Sequence, residues 1–279
     1  MANKSIRFGA KLLPLSRPLV MAIINVTPDS FFAGSRASTQ ADLRLAVQRA
    51  VDQGADILDL GACSTRPAVQ DGKQVLVSEQ DEWQRLSMAL HVVREMECNL
   101  PVSVDTFRPQ IARQAIEEFG VGMINDISGG SEQMYQLVAE HHVAYVLTYN
   151  RPADAPPTTD HLLADCIDYL SRKVDSLHRL GVSDVVIDPG FGFNQTVQQS
   201  LFLLDNLRAL TYIGCPILAG ISRKRMAYQP NGLTPDTCLT QTLDLERQAI
   251  EQGAAILRVH DIAPTKQIIT TCFSASKTS

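Results

Sequence analysis

Short, strongly apolar runs recur along this chain, and nearly every one ends in a polar or charged residue. VMAIIN closes on Asn25, DILDLGACSTR on Arg66, PVSVD on Asp105, MIND on Asn125 and Asp126, and AYVLTYN on Asn150. VVID closes on Asp188, PILAGISRK on Lys224, and AILRVHD, the last, on Arg258 to Asp261. A continuous run rich in Val and Ile is how a strand buried on both faces reads in a parallel sheet. Four of the runs follow a helix-like stretch closed by Gly54, Gly120, Gly181 or Gly253, the residue that ends a helix without a Cβ clash. The pattern predicts strands starting near residues 20, 57, 101, 123, 144, 185, 216 and 256, alternating with helices.

The intervening stretches carry helical faces. Leu43, Ala46, Val47, Ala50 and Val51 fall on one stripe before Gly54. Pro109 stands at a first-turn position ahead of Ile111, Ala115, Ile116 and Phe119. Leu239, Leu243, Ile250 and Ala254 are expected to share a face near the end. Eight strand–helix repeats fit a single-domain α/β fold, a (β/α)8 TIM barrel with chemistry at its C-terminal mouth. An open doubly wound sheet is the competing architecture, but no GxGxxG opens a helix and eight similar units favour closure. Residues 1–19 and 263–279 are expected to lie outside the barrel core. Three longer segments, 26–40, 62–78 and 150–161, follow the first, second and fifth strands as candidate substrate loops.

Length and charge narrow the function classes. A chain of 279 residues is ample for one barrel, and its formal net charge of −5 argues against a nucleic-acid or anionic-membrane surface. The N-terminal stretch lacks a signal peptide's apolar centre. The six cysteines are scattered without CxxC spacing, as expected of thiols in a reducing cytoplasm.

The strand ends sort by chemistry. Arg66, Lys224 and the pair Arg258/His260 are cationic groups from different strands, and such a cluster suits a phosphate or another polyanion, with structural ion pairing as the competing account. Arg258 and His260, two apart, are expected on one face. Asp105, Asn125 and Asp188 are acceptors; they imply a flat heterocycle bearing several N–H groups, or else an internal Arg or Lys partner. Phe193, in the GFGF stretch, suits a covering ring. Asn25 is a neutral oxygen ligand for a Mg²⁺ that a polyphosphate itself mostly coordinates.

These residues carry a resemblance. INVTPDSFF (24–32), DLGACSTRP (59–67), VSVDTFRP (102–109), INDISGG (124–130), IDPGFGF (187–193), GISRK (220–224) and RVHD (258–261) stand in the order of the dihydropteroate synthase family, the sulfonamide-targeted enzymes of folate synthesis. The resemblance implies a homodimer that joins 6-hydroxymethyl-7,8-dihydropterin diphosphate to 4-aminobenzoate, releasing diphosphate and 7,8-dihydropteroate. It implies that Asp105, Asn125, Asp188 and Lys224 hold the pterin, and that Thr65 and Arg66 line the diphosphate and aminobenzoate side. Arg258 and His260 are then expected to bind the leaving diphosphate, and Asn25 the Mg²⁺.

The chain also departs from the family pattern. Cys63 and Ala68 replace the usual Glu and Gly of GGESTRPG, and Thr148-Tyr149 replace Met-His on the fifth strand. Asn194-Gln195 stand where Gly-Lys is frequent, and Met226-Ala227 where Phe-Ile is. None of these is a charge-handling position. A methyltetrahydrofolate-type methyltransferase barrel shares the acceptors but not the cationic set, and a non-catalytic pterin binder has no need of that set.

Overall fold

The computed structural model describes residues 5–9, 11–26, 36–63, 68–70, 73–75, 77–151 and 159–275. A short hairpin, β1 (Ser5–Phe8) and β2 (Lys11–Pro14), precedes the first barrel strand, β3 (Leu19–Asn25). Then come α1 (Arg36–Asp52), β4 (Ile57–Gly61), a second hairpin of β5 (Ala68–Gln70) and β6 (Lys73–Val75), and α2 (Glu79–Glu95). Next are β7 (Val102–Asp105), α3 (Pro109–Phe119), β8 (Met123–Asp126), α4 (Glu132–Glu140), β9 (Ala144–Thr148) and α5 (Thr159–Arg179). The chain finishes with β10 (Val185–Asp188), α6 (Val197–Asp205), β11 (Ile217–Ala219), α7 (Arg225–Tyr228), α8 (Leu239–Glu251), β12 (Ala254–Val259) and α9 (Ile262–Ala275). Strands β3, β4, β7, β8, β9, β10, β11 and β12 close into a parallel barrel, each beginning within two residues of its expected start. Among the described residues no helix is long and apolar enough to cross a membrane.

The two-residue period of a strand explains how the barrel has two cores. Outward residues Val20, Ala22, Leu58, Leu60, Val104, Ile124, Leu147, Ile187 and Leu257 pack under the helices. Inward residues Met21, Ile57, Met123, Ala144, Val146, Val186, Leu218 and Ile256 fill the lumen, where Ile6 and Phe8 of the first hairpin join them. Gly122 lets the hairpin seat: a Cβ there would lie 3.0 Å from the Phe8 backbone. The lead-in therefore plugs the barrel floor, contrary to the expectation that it lies outside the core. The C-terminal segment is corrected likewise, because α9 packs on α8 and β3 and buries Ile268 and Ile269.

Local signals set the helix ends. Pro109 opens α3 and Gly120 ends it in the left-handed region at φ 69°. Ser78, Ser131 and Thr196 cap α2, α4 and α6 with their hydroxyls, Thr196 in a reciprocal capping box with Gln199. Two helical faces differ from expectation. Val51 is exposed although Leu43, Val47 and Ala50 are buried. Leu239 is exposed and Ala254 belongs to β12, while α8 buries Thr242, Glu246, Ala249 and Ile250. Polar Thr242 and Glu246 hide this stripe from a pattern of apolar residues.

Candidate active site

The inward face that is apolar at the floor turns polar toward the mouth. Asn25, Gly61, Asp105 and Asn125 are register neighbours across β3, β4, β7 and β8. One step deeper stand Asp59 and Ser103, and across the barrel Thr148 pairs with Asp188. Gly61 is the spacer of the upper tier. A Cβ there would meet Asp105 Cβ at 3.4 Å and Asn25 Oδ1 at 3.7 Å.

Arg258 sits at the centre of the acceptors. Its Nε donates to Asp59 Oδ2 and its Nη2 to Asp105 Oδ2, both at 2.6 Å. Asn125 Nδ2 donates to the same Asp59 oxygen at 3.0 Å. An ionised carboxylate only accepts, so the amide nitrogen must face Asp59 and Asn125 Oδ1 is turned away as an acceptor. The internal arginine partner weighed from the sequence is thus present, and the cationic and acceptor groups are not separate. The Asp188 charge acts on the same guanidinium. Asp59, fully buried, was missed; its signal was an Asp inside the apolar run ILDLG. Among the described residues Asp59 Oδ1 and Thr148 Oγ1 are buried without a hydrogen-bond partner.

Burial raises the Asp105 pKa and the Asp59 charge adds to the rise, while the Arg258 charge opposes it. Burial also raises Asp188, against the pull of Lys224 and the Gly190 N–H, which donates to its Oδ1 at 2.7 Å. Arg258 stays charged: burial disfavours the cation, but Asp59 and Asp105 outweigh it. Just past Asp105 the chain is anchored by buried Glu82, which accepts from Thr106 Oγ1 at 2.6 Å and pairs with Arg108.

Lys224 reaches the same space from the turn after β11. Its Nζ donates to the Phe191 carbonyl at 2.6 Å and lies 4.8 Å from the Phe193 ring centroid. Burial lowers its pKa to about 8, with Asp188 opposing the fall. The preceding residue, Arg223, adopts φ 56° and is gripped by Asp261 through Nε at 3.0 Å and Nη2 at 2.8 Å. His260 stands at the exposed rim just past β12, its Nδ1 3.1 Å from Ser222 Oγ. Desolvation of the ring among its neighbours, with the Arg258 and Arg223 charges, lowers its pKa to about 4. The structure therefore brings together Asn25, Asp105, Asn125, Asp188, Phe193, Lys224, Arg258 and His260. Thr65 and Arg66 lie outside the described residues, as do most of the first loop and parts of the other two.

A mouth of this kind offers hydrogen-bond acceptors at depth and cations beside them. The profile of the pterin binding enzyme family matches residues 21–260, most of the chain. The chain belongs to the dihydropteroate synthase family of pterin-binding enzymes. It is 34% identical to the dihydropteroate synthase of Bacillus subtilis, over 88% of this chain and 84% of that one. A Streptococcus pyogenes relative is 33% identical over 90% and 92%. The fold superposes on the Xanthomonas albilineans dihydropteroate synthase with 4-aminobenzoic acid at a TM-score of 0.88, with 34% identity and 98% of each chain covered. A second structure of that enzyme, in complex with 7,8-dihydropteroate, gives 0.84 at 32% identity over 98% of each chain.

Proposed function

We propose that this chain condenses 6-hydroxymethyl-7,8-dihydropterin diphosphate with 4-aminobenzoate, giving 7,8-dihydropteroate and diphosphate. The observation that carries the reading is the Arg258 junction, where a charged guanidinium joins two carboxylates within range of the Lys224 charge. A methyl-transfer barrel has no use for that cation beside its acceptors.

In this reading Asp105, Asn125 Oδ1 and Asp188 accept the ring N–H groups, and Phe193 flanks the ring. The C–O bond to diphosphate breaks with its electron pair leaving on oxygen, and the pterin ring delocalises the cation. Arg258 and Lys224 offset charge on the leaving group, His260 contributes as a neutral hydrogen-bonding imidazole, and Asp105 steadies the cation. The arylamine nitrogen then forms the C–N bond and its proton passes to solvent; a neutral arylamine needs no strong base. Thr65 and Arg66 are proposed on the aminobenzoate and diphosphate side.

The residues fit a Mg²⁺ held mainly by the substrate. Among the described residues no group of three His, Cys, Asp or Glu forms a metal cage, and Asn25 offers a single neutral oxygen beside Asp105. Bound there, the ion supplies charge neutralisation to the diphosphate. A homodimer and a cytoplasmic setting complete the proposal. Exposed Leu239 and Phe273 on the adjoining helices α8 and α9 support the first, and the free thiols of Cys98, Cys166, Cys215 and Cys238 the second. Sedimentation at twice the 30.6 kDa of one chain tests the dimer.

The deciding assay follows diphosphate release in Mg²⁺ with and without 4-aminobenzoate. Arylamine-dependent release with dihydropteroate formation is expected. Release that ignores the arylamine would mean hydrolysis and overturn the reading.

A further inference from the structure

Asn150, which follows the fifth-strand departure Thr148-Tyr149, meets the Asn194 departure in space, although the two lie 44 positions apart in the chain. Asn194 Nδ2 donates to Asn150 Oδ1 at 3.1 Å and to the Arg151 carbonyl at 2.7 Å. Asn150 in turn donates through Nδ2 to the Ile127 carbonyl at 2.8 Å. One side-chain pair therefore ties the loops after β8, β9 and β10 together. Asn194 has φ 48°, in the left-handed region, which after glycine Asn tolerates best. Asn at this position keeps the backbone conformation that a glycine would adopt and adds a side chain that reaches the next loop.

Asn194 directly follows Phe193, the ring beside Lys224 Nζ. The backbone on its other side is already fixed. Phe193 N donates to Gly190 O at 2.9 Å, and buried Gln195 donates to Pro189 O at 3.0 Å while accepting from Ser200 Oγ at 3.0 Å. These bonds hold the loop to its own strand and helix. Among the hydrogen bonds of the described residues, the Asn194 side chain fixes it against the β9 side of the mouth, through Asn150 and the Arg151 carbonyl.

We propose that Asn150 and Asn194 form a latch that positions Phe193 over Lys224 and so sets the affinity of the site for its flat-ring substrate. Both are positioning residues and neither touches the reacting atoms. The proposal rests on the activity argued above. With the latch closed, Phe193 is ordered before substrate arrives; without it, binding must order the ring, which lowers affinity by about two- to tenfold. Because Asn194 is exposed, its removal should leave stability nearly unchanged.

The test compares wild type, Asn194→Gly, Asn150→Ala and the double variant in steady-state kinetics with both substrates, alongside melting temperature. Asn194→Gly keeps the left-handed backbone and removes only the side-chain tie. The expected result is a KM for the dihydropterin diphosphate raised about two- to tenfold, with kcat within about twofold and an unchanged melting temperature. The double variant should raise KM by less than the two single effects combined, because the singles share the Asn150–Asn194 bond. An unchanged KM in Asn194→Gly, or additive single effects, would overturn the latch. So would a loss of kcat in parallel with melting temperature, which marks a purely structural tie. A wild-type protein that forms no dihydropteroate would instead refute the activity on which the latch rests.

Discussion

Asn125 and Arg258 share a single oxygen of Asp59, the one at 3.0 Å and the other at 2.6 Å. One buried carboxylate thus fixes both the direction of an amide and the position of a guanidinium. Asp59→Ala removes that acceptor and strands part of a buried cation, which costs about 3 kcal/mol. Urea denaturation should show that loss, and kcat/KM should fall by more than the folded fraction explains. A variant as stable and active as wild type would show that Asp59 holds neither partner.

Lys224, with its pKa lowered to about 8, loses its charge in mildly alkaline solution. If the protonated amine is the working form, kcat/KM for the pterin substrate declines above pH 8, approaching tenfold per unit. Lys224→Arg, which keeps a cation at every accessible pH, should flatten that limb at a lower absolute rate. Lys224→Ala should abolish turnover with little change in melting temperature.

Glu246 gives a stability signature remote from the mouth. Buried on α8, it accepts from Thr265 Oγ1 at 2.8 Å, and burial raises its pKa to about 8, with Asp261 adding to the rise. The folded chain therefore binds a proton that the unfolded chain releases near pH 4.5, the ordinary value. The resulting stability is complete below that pH and is lost as pH rises through about 8. Glu246→Gln, neutral throughout, should flatten the profile and raise stability at pH 8 by about 1 kcal/mol or more. Thermal melts from pH 5 to 9 would decide it; a wild-type curve parallel to the variant's would refute the buried proton.

Gly190 holds φ 69°, and a Cβ on it would lie 2.0 Å from the Tyr149 carbonyl oxygen. Backbone cannot yield there as a side-chain tip would. Gly190→Ala should lower the melting temperature by about 5–10 °C. Gly181→Ala, with φ 90° but nothing within 4 Å, serves as the control and should lose markedly less.

The barrel could be read from the chain because strands buried on both faces are apolar throughout, and because Gly54, Gly120, Gly181 and Gly253 mark the turns before them. The site was legible as far as polar strand ends reveal it, which covers Asp105, Asn125, Asp188, Lys224 and Arg258. Asp59 escaped because it sits mid-strand, where one acidic residue among apolar ones breaks the very pattern that defines the strand. The Arg223–Asp261 grip and the Asn150–Asn194 tie link distant loops, and no local periodicity encodes such pairs. The buried faces of α8 and α9 were obscured for a related reason: Thr265 donates to Glu246 across two helices, and both look like surface residues when read singly.

With its lumen filled by inward side chains and Ile6 and Phe8 seated in its floor, the barrel is a cul-de-sac among the described residues. Whatever binds at the depth of Asp59 and Asn125 has to pass the rim at His260 both coming and going. A molecule held at that rim bars the way for one lying beneath it. The order in which two substrates enter and two products leave is therefore a matter of traffic in a blind corridor, imposed by a packed lumen whose floor a four-residue strand completes.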